Sequence, residues 1–265
     1  MQPPKTILFL GATGGCGQAA LRRSLAAGFT CIVLCRNPDK LTSVLSPEVH
    51  PNLQVFKGNA HDMEAIKNCI VSPHDATSFV DFVISTIGAW FELRKMTLED
   101  VHVCEHGMAV LLNAIKTLRT ERGVSGRPRV IGQSSTGISK FGRDTPLIIY
   151  PIYKGLLSTP HQDKRALEEL LFNSGEEWTV LRASFLTNGN ETSGVAIKVG
   201  VEDPVSGVKS LAIGYTICRE DVGRWMFDNI LNCSNDNSLI IFVVTIQFSD
   251  KKAIEGFDIC AGATS

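Results

Sequence analysis

The chain has 265 residues, a formal net charge of −1 and 44% hydrophobic residues. This is enough for a buried core and an enzyme, built as one large α/β domain or two small ones. The charged residues are scattered, which argues against nucleic acid or an anionic membrane surface as a partner. No stretch approaches the roughly 18 apolar residues of a transmembrane helix. We therefore expect a small-molecule substrate as the partner.

Eight cysteines lie mostly inside apolar runs, without a Cys-x-x-Cys pair and without a secretory leader ahead of them. Such cysteines are typical of a reducing compartment. We expect them to be reduced core residues of a cytoplasmic protein.

Short β-branched runs alternate with segments of helical periodicity up to Arg182. The predicted strands are Thr6–Leu10, Thr30–Cys35, Leu53–Lys57, Phe79–Thr86, Arg129–Gln133 and Trp178–Arg182. The predicted helices among them are Gln18–Ala27, His61–Ile70 and Leu98–Thr120. Parallel strands joined by crossover helices follow this order, so we expect an α/β fold with a doubly wound parallel sheet.

Beyond Arg182 the regular alternation of predicted strands and helices ends. The segments Val195–Val201 and Val208–Ile213 flank a turn-rich connector and predict a β-hairpin or an extended flap. A helix over Glu220–Asn232 and a last strand over Leu239–Gln247 follow. We expect one domain over residues 1–265, in which residues 186–265 form a small lobe on the substrate side.

A glycine-rich loop joins the first strand to the first helix. It consists of Gly11, Ala12, Thr13, Gly14, Gly15, Cys16 and Gly17. Glycines at these positions permit a tight turn, close approach of the backbone to a pyrophosphate, and packing of helix on strand. The amino end of the helix then faces the phosphates. The loop in this setting predicts a dinucleotide-binding Rossmann fold.

The end of the second strand favours NADP(H) over NAD(H). Arg36 stands where an NAD site carries an acid, and a guanidinium matches a 2′-phosphate in a bidentate manner. Lys40 would add a second positive charge if the turn at Pro38 brings it back towards the 2′-phosphate. Asn59 and Asp62 are expected to border the adenine. Thr86 and Gly88 follow the fourth strand and are expected to pass beneath the cofactor.

These motifs resemble the short-chain dehydrogenase/reductase superfamily and, within it, the atypical NmrA-like branch. The resemblance also draws on Asp163 and Lys164 at the head of a helix, on Thr179–Arg182 and on Glu220–Gly223. It implies an NADPH-dependent reductase, an isomerising tailoring enzyme of fungal secondary metabolism, or a redox-sensing regulator without catalysis. Fold analogy does not choose among them.

The resemblance also implies a catalytic serine, a tyrosine, and a lysine four residues after the tyrosine that binds the ribose. Two registers compete, namely Tyr150 with Lys154, and Lys164. Thr159 as N-cap with Pro160 at the first helical position predicts a helix that begins there, which favours Lys164. In this register Pro160 replaces the tyrosine.

Other side chains are then candidates for the chemistry. His161 shares a helix face with Lys164 and is the nearest titratable replacement for the tyrosine, unless it is a first-turn surface residue. Ser134 and Ser135 are candidates to hold a substrate oxygen. Tyr150 or Tyr153 could still reach the site. Trp90 and Phe91, which could line an apolar pocket, are as often plain core residues.

From these residues we expect an NADPH-dependent oxidoreductase acting on a small apolar metabolite. The alternatives are a non-redox isomerase, cyclase or epoxide-rearranging enzyme, and a non-catalytic NADP(H) sensor. The sequence presents no metal-ligand motif and does not assign the oligomeric state.

Overall fold

The structure is a computed structural model, and it describes residues 4–88, 91–92, 97–98, 100–149, 158–189, 191, 196–233 and 242–248. The first half of the described chain forms, in order, β1 (Thr6–Leu10), α1 (Gly15–Ala26), β2 (Thr30–Cys35), α2 (Asp39–Thr42), β3 (Leu53–Lys57), α3 (Met63–Ile70), β4 (Val71–Ser72), β5 (Asp75–Phe79), β6 (Phe82–Ser85), β7 (Phe91–Glu92), β8 (Thr97–Leu98) and α4 (Val103–Arg122). The second half forms β9 (Arg129–Ser135), a 3₁₀ turn (Leu147–Ile149), α5 (Ser158–Phe172), β10 (Trp178–Ala183), β11 (Phe185–Thr187), β12 (Ile197–Asp203), β13 (Gly207–Ser210), β14 (Thr216–Cys218), α6 (Arg219–Met226), a π-helical segment (Phe227–Leu231) and β15 (Phe242–Phe248).

The main sheet has nine described strands in the order β13-β12-β15-β10-β9-β6-β1-β2-β3. The seven strands from β15 to β3 pair in parallel, whereas β12 pairs antiparallel with both β13 and β15. The predicted doubly wound α/β fold is confirmed. Its strand order reverses between β1 and β6, and the carboxyl ends of strands at such a point form a ligand crevice.

Hydrophobic layers cover both faces of the sheet. Ile7 and Phe9 of β1 belong to the core shared with α1 and α6, whereas Leu8 and Leu10 belong to the core shared with α3, α4 and α5. All five residues of β1 are buried. A strand enclosed in this way needs apolar side chains on both faces, which explains its continuous apolar run.

Several predicted boundaries move because polar side chains end or begin an element. The strand predicted over Phe79–Thr86 is shorter, because β6 covers only Phe82–Ser85 and Phe79 is the last residue of β5. Between them the carboxylate of Asp81 accepts the backbone N–H of Thr6 at 2.6 Å. The helix predicted from His61 begins at Met63, because the Asp62 side chain caps it by accepting the N–H of Glu64.

Other helices also begin away from the predicted residues. Helix α1 begins at Gly15 instead of Gln18, and α4 begins at Val103 instead of Leu98. The predicted helix over Glu220–Asn232 is α6 followed by the π-helical segment. The hairpin predicted after Arg182 is confirmed as β12 and β13.

The cysteines largely follow the prediction. Six of them are buried and form no disulfide bond, and these are Cys16, Cys31, Cys35, Cys69, Cys104 and Cys218. Cys260 lies outside the described residues. Cys233 is disulfide-bonded, so the prediction of eight reduced cysteines is wrong at that position. Among the described helices none is long and apolar enough to cross a membrane.

Helices α1 and α6 approach so closely at Gly223 that a side chain has no room there. A Cβ atom on Gly223 would overlap the Ala19 methyl group and would lie 2.7 Å from the Cys16 carbonyl oxygen. We expect Gly223→Ala to lower the free energy of unfolding by about 1–3 kcal/mol through overpacking, measured by urea denaturation.

Gly88→Ala is the matched control, because nothing lies within 4 Å of a Cβ atom at that position. Equal stability of the two variants would contradict the close packing of α1 against α6.

Candidate active site

The glycine-rich loop lies at the carboxyl end of β1 and leads into α1. Gly11 and Gly15 have φ angles of 95° and 59°, a left-handed region that favours glycine. Gly14 is exposed, and nothing lies within 4 Å of a Cβ atom placed on it. The loop thus presents open backbone next to the amino end of a helix, which suits a pyrophosphate.

Close packing against the residues that follow β6 requires glycine at positions 11 and 17. A Cβ atom on Gly11 would lie 2.9 Å from the Ile87 backbone nitrogen, and one on Gly17 would overlap the Thr86 hydroxyl oxygen. The Thr86 hydroxyl donates to the Gly11 carbonyl oxygen at 3.1 Å. Thr86, one of the predicted site residues, therefore supports the loop through this hydrogen bond.

Arg219 lies over this loop, which the sequence alone did not indicate. Its Cδ atom would be 3.4 Å from a Cβ atom on Gly15, and its guanidinium donates to the Asn188 side-chain oxygen at 2.7 Å. A guanidinium beside a phosphate-binding loop is suited to hold the anion. Arg219 directly precedes the Glu220–Gly223 motif, and that adjacency was the available signal.

Arg36 follows the carboxyl end of β2, where the ribose of a dinucleotide is expected. Its side chain is exposed and makes no ion pair with the described residues. Lys40 is also exposed, in the short helix α2 that Pro38 precedes. Both cations are therefore accessible on the side of the sheet where we predicted the 2′-phosphate.

Asn59 and Asp62 lie in the connection between β3 and α3 and have local structural roles. The Asn59 side-chain oxygen accepts the His61 N–H at 3.2 Å, and Asp62 caps α3. Both residues are exposed. Gly88, beyond β6, is exposed with open space around its Cα. Contact of these residues with an adenine or a nicotinamide stays a prediction.

Lys164 lies at the carboxyl ends of two adjacent strands. Its ammonium donates to the Gln133 carbonyl oxygen at 2.8 Å and to the Ile87 carbonyl oxygen at 3.0 Å. An ammonium has three donors, and these two carbonyl oxygens take two of them. Helix α5 carries Lys164 into this position. Its role as the lysine of the family pattern stays a prediction.

The neighbouring Asp163 fixes the same helix from its buried side. Its two carboxylate oxygens accept the backbone N–H groups of Cys104 and Glu105, at 3.0 and 2.8 Å. These groups belong to the first turn of α4, whose own N-cap residue provides no side-chain cap. Asp163 therefore supplies from α5 the cap that α4 lacks.

Ser134 and Ser135 end β9 and point to opposite faces of the sheet, because side chains alternate along a strand. Ser134 is in register with Arg182 and is buried, and its hydroxyl bonds to none of the described residues. Ser135 is half-buried, and its hydroxyl donates to the Thr136 carbonyl oxygen at 3.2 Å. The two serines, both candidates to hold a substrate oxygen, therefore lie in different environments.

His161 is buried, with 5% of its surface exposed, so the reading of it as a surface residue is wrong. Helix α5 begins at Ser158, so the predicted start with Thr159 as N-cap is also wrong. Burial, followed by the charge of Arg165, lowers the pKa of His161 to about 4. The imidazole is therefore neutral at neutral pH.

Several residues of the predicted site lie outside the described residues. They are Tyr150, Tyr153, Lys154 and Trp90. Phe91 lies in β7, and its side chain is not described.

Arg182 forms a buried ion cluster at the end of β10. It donates to Glu168 of α5 at 3.0 and 2.7 Å and to Glu202 of β12 at 3.0 Å. Burial alone would lower the pKa of this guanidinium, but the two carboxylates reverse the effect and raise the pKa. The cluster joins the helix that carries Lys164 to the hairpin.

Asp144 is a buried acid near this cluster that the sequence did not single out. One of its oxygens accepts the Gly137 N–H at 2.8 Å, and the other bonds to none of the described residues. Burial raises its pKa, although the Gly137 N–H and the charge of Arg182 oppose this. The Arg182 guanidinium thus has carboxyl groups from three segments in its surroundings.

A family model described as NAD(P)H-binding matches residues 11–232 of the chain. The chain belongs to this family. Its fold is that of the short-chain dehydrogenases/reductases, as the resemblance implied. The cofactor is accordingly a nicotinamide dinucleotide.

Two similar proteins come from fungi. The chain is 32% identical to the reductase pytE of Aspergillus terreus, over 92% of the chain and 98% of that protein. It is 31% identical to the oxidase pynE of Aspergillus niger, over 85% of the chain and 92% of that protein. Together with the family, these relatives support an enzyme of the oxidoreductase class.

A solved structure with the same fold is a short-chain dehydrogenase/reductase from Veillonella parvula in complex with NADP. It covers 91% of the chain and 94% of its own length, with a TM-score of 0.65 and 19% identity. At this identity the likeness shows the fold alone.

The buried His161 makes stability depend on pH in a defined direction. The unfolded chain binds a proton near the ordinary pKa of 6.5, whereas the folded chain binds it only near 4. The free energy of unfolding therefore falls as the pH drops from about 6.5 to 4, by up to about 3 kcal/mol from this residue. His161→Gln should lack this part of the pH dependence in urea titrations.

A second variant tests the cause. Arg165→Gln removes the charge that adds to burial, so the pKa of His161, followed by NMR, should rise. Identical pH profiles for the original chain and His161→Gln would show that the imidazole titrates normally in the fold.

Proposed function

We propose that this protein is an NADPH-dependent oxidoreductase that reduces a carbonyl or enone group of a small, largely apolar metabolite. The observation that carries the proposal is Lys164. Its ammonium is fixed by the carbonyl oxygens of Ile87, just after β6, and of Gln133, near the carboxyl end of β9. Ile87 in turn lies against Gly11 of the glycine-rich loop. The fungal relatives and the family resemblance support a role in secondary metabolism, and we propose the cytoplasm as its location.

The residues around the crevice fit NADPH. The loop from Gly11 to Gly17 would hold the pyrophosphate, with Arg219 as an additional cation. Arg36 and Lys40 would hold the 2′-phosphate, because an exposed guanidinium and ammonium match a dianionic group. Asn59 and Asp62 would border the adenine, and Thr86 and Gly88 would lie beneath the cofactor. Bound NADPH supplies the hydride.

The protein side of the reaction would be carried by α5 and β9. Lys164 would use its remaining N–H to bind the ribose. Ser134 or Ser135 would hold the substrate oxygen, and His161 is the proposed substitute for the tyrosine of the family pattern. Because its pKa is about 4, His161 would be a neutral imidazole that donates an N–H hydrogen bond to the substrate oxygen, and the proton that this oxygen gains after hydride transfer would come from water.

Substrate selection would reside in residues 186–265. We propose that these residues are the smaller lobe of a single domain, to which β12, β13 and β15 belong as one end of the main sheet. The Arg182 cluster supports this arrangement, since Glu202 of β12 pairs with a residue of β10.

One observation favours a second candidate function. Pro160 stands four residues before Lys164, so the acid of ordinary family members is missing in this register. A non-redox isomerase, cyclase or epoxide-rearranging enzyme transfers no hydride. It would therefore not need an acid that protonates a carbonyl oxygen during hydride transfer. Such an enzyme would convert its substrate without consuming NADPH.

Arg36 decides the cofactor preference. Arg36→Ala should raise the Kd for NADPH by about 10- to 100-fold, because a charge-assisted hydrogen bond to the 2′-phosphate contributes about 1.5–3 kcal/mol. The Kd for NADH should change by less than about threefold. Fluorescence titration of both cofactors measures this.

Arg127→Ala is the matched control, since Arg127 is exposed and precedes the amino end of β9, away from the crevice. Equal affinity of the original chain for NADPH and NADH would remove the argument from Arg36.

Hydride transfer is tested with NADPH deuterated at C4 and a panel of apolar ketones and enones. We expect deuterium at the reduced carbon of the product and loss of NADPH absorbance. Lys164→Met should lower kcat/KM by at least about 100-fold, since the ribose and the proton-transfer geometry both lose support.

Glu169→Gln, on an exposed face of the same helix, should retain activity. Tight NADPH binding without deuterium transfer to any substrate would refute the redox proposal. Turnover undiminished without NADPH would establish the isomerase alternative.

A further inference from the structure

Three side chains between α3 and α4 bring together two imidazoles and a carboxylate. They are His61, Asp100 and His106, and one potential ligand atom of each lies within 4.8 Å of those of the other two. His61 and Asp100 are half-buried, and His106 is exposed. From their arrangement we propose that these residues form a zinc-binding site. This proposal does not rest on the proposed function.

The His61 ring is oriented as in a metal-binding histidine. Its Nε2 atom lies 3.1 Å from the Val103 carbonyl oxygen, and a carbonyl only accepts, so Nε2 carries the proton. In the neutral ring Nδ1 then keeps its lone pair. A backbone carbonyl that fixes the tautomer and the ring plane is the usual outer partner of a ligating histidine.

Asp100 is held in place and keeps an oxygen available. Its Oδ1 atom accepts the backbone N–H of His102 at 2.9 Å, which anchors the carboxylate beside α4. Oδ2 makes no hydrogen bond with the described residues. The rings of His106 and His61 are nearly perpendicular, with their centroids 5.7 Å apart.

Ligand type and spacing favour Zn²⁺. Two imidazole nitrogens and one carboxylate oxygen suit Zn²⁺, whereas Ca²⁺ and Mg²⁺ prefer oxygen ligands only. With metal–ligand distances near 2.0–2.1 Å, ligands of a tetrahedral site are about 3.3 Å apart. Each pair of atoms would have to approach by at most about 1.5 Å, through rotation of the exposed His106 side chain and a smaller adjustment of the half-buried His61 and Asp100 side chains.

Local charge does not oppose the cation. The amino end of α4 carries a partial positive charge, but the Asp163 carboxylate already binds two of its N–H groups. A bound Zn²⁺ would join the connection after β3 to the amino end of α4. These ligands are up to 45 residues apart in sequence, so no short motif reveals the site.

The test uses the full chain without a polyhistidine tag, treated with chelator and free of NADPH. Titration with Zn²⁺ alone, against a chromophoric chelator, should show one equivalent bound with a Kd of about 10 μM or lower. Mg²⁺ and Ca²⁺ should not compete. Excess Zn²⁺ should raise Tm by about 5 °C.

Variants separate this site from incidental binding. His61→Ala, His106→Ala and Asp100→Asn should each weaken Zn²⁺ binding at least about tenfold, whereas His50→Ala should not. Asp100→Asn keeps the Oδ1 acceptor and so preserves the local turn. Absence of stoichiometric binding, or equal binding by all four variants, would overturn the proposal. Because NADPH is absent, either result leaves the proposed function untouched.

Discussion

The site depends on the ion-dipole contacts of two adjacent residues of α5. Asp163 caps the amino end of α4, and Lys164 bridges the carbonyl oxygens of Ile87 and Gln133 at the ends of β6 and β9. Carbonyl oxygens near strand ends need hydrogen-bond donors, and one ammonium supplies two such donors at a single point. One helix is thereby attached to a second helix and to two strands, which fixes Lys164 within the crevice without any ligand.

The position and the accessibility of the glycine-rich loop depend on the missing side chains of its glycines. Gly11 and Gly17 have no room for a Cβ atom against the chain after β6, whereas Gly14 faces open space. The first two glycines bring the loop against its neighbours, and the third leaves its backbone accessible. Close packing at Gly223 extends the same constraint to α1, because α6 packs against the helix that follows the glycine-rich loop.

Local sequence predicts the parallel strands and the glycine-rich loop well, because a buried strand needs a continuous apolar run and a tight turn needs glycine. Strands β1, β2 and β3 match their predicted bounds. The burial of His161 and the position of Arg219 over Gly15 arise from tertiary packing. Periodicity within one helix carries no information about them. The start of α5 likewise differs from the position that the capping pattern of Thr159 indicated.

The Arg182 cluster explains how the hairpin and α5 are coupled. Glu168 lies four residues after Lys164, so it is one turn further along the same face of α5. Lys164 attaches that face to β6 and β9, and Glu168 attaches it through Arg182 to β10 and β12. Loss of the guanidinium would leave two buried carboxylates without a counter-charge, and breaking a buried pair costs about 3–5 kcal/mol. A displacement of the hairpin by a substrate would therefore act on α5, and through it on the position of the Lys164 ammonium.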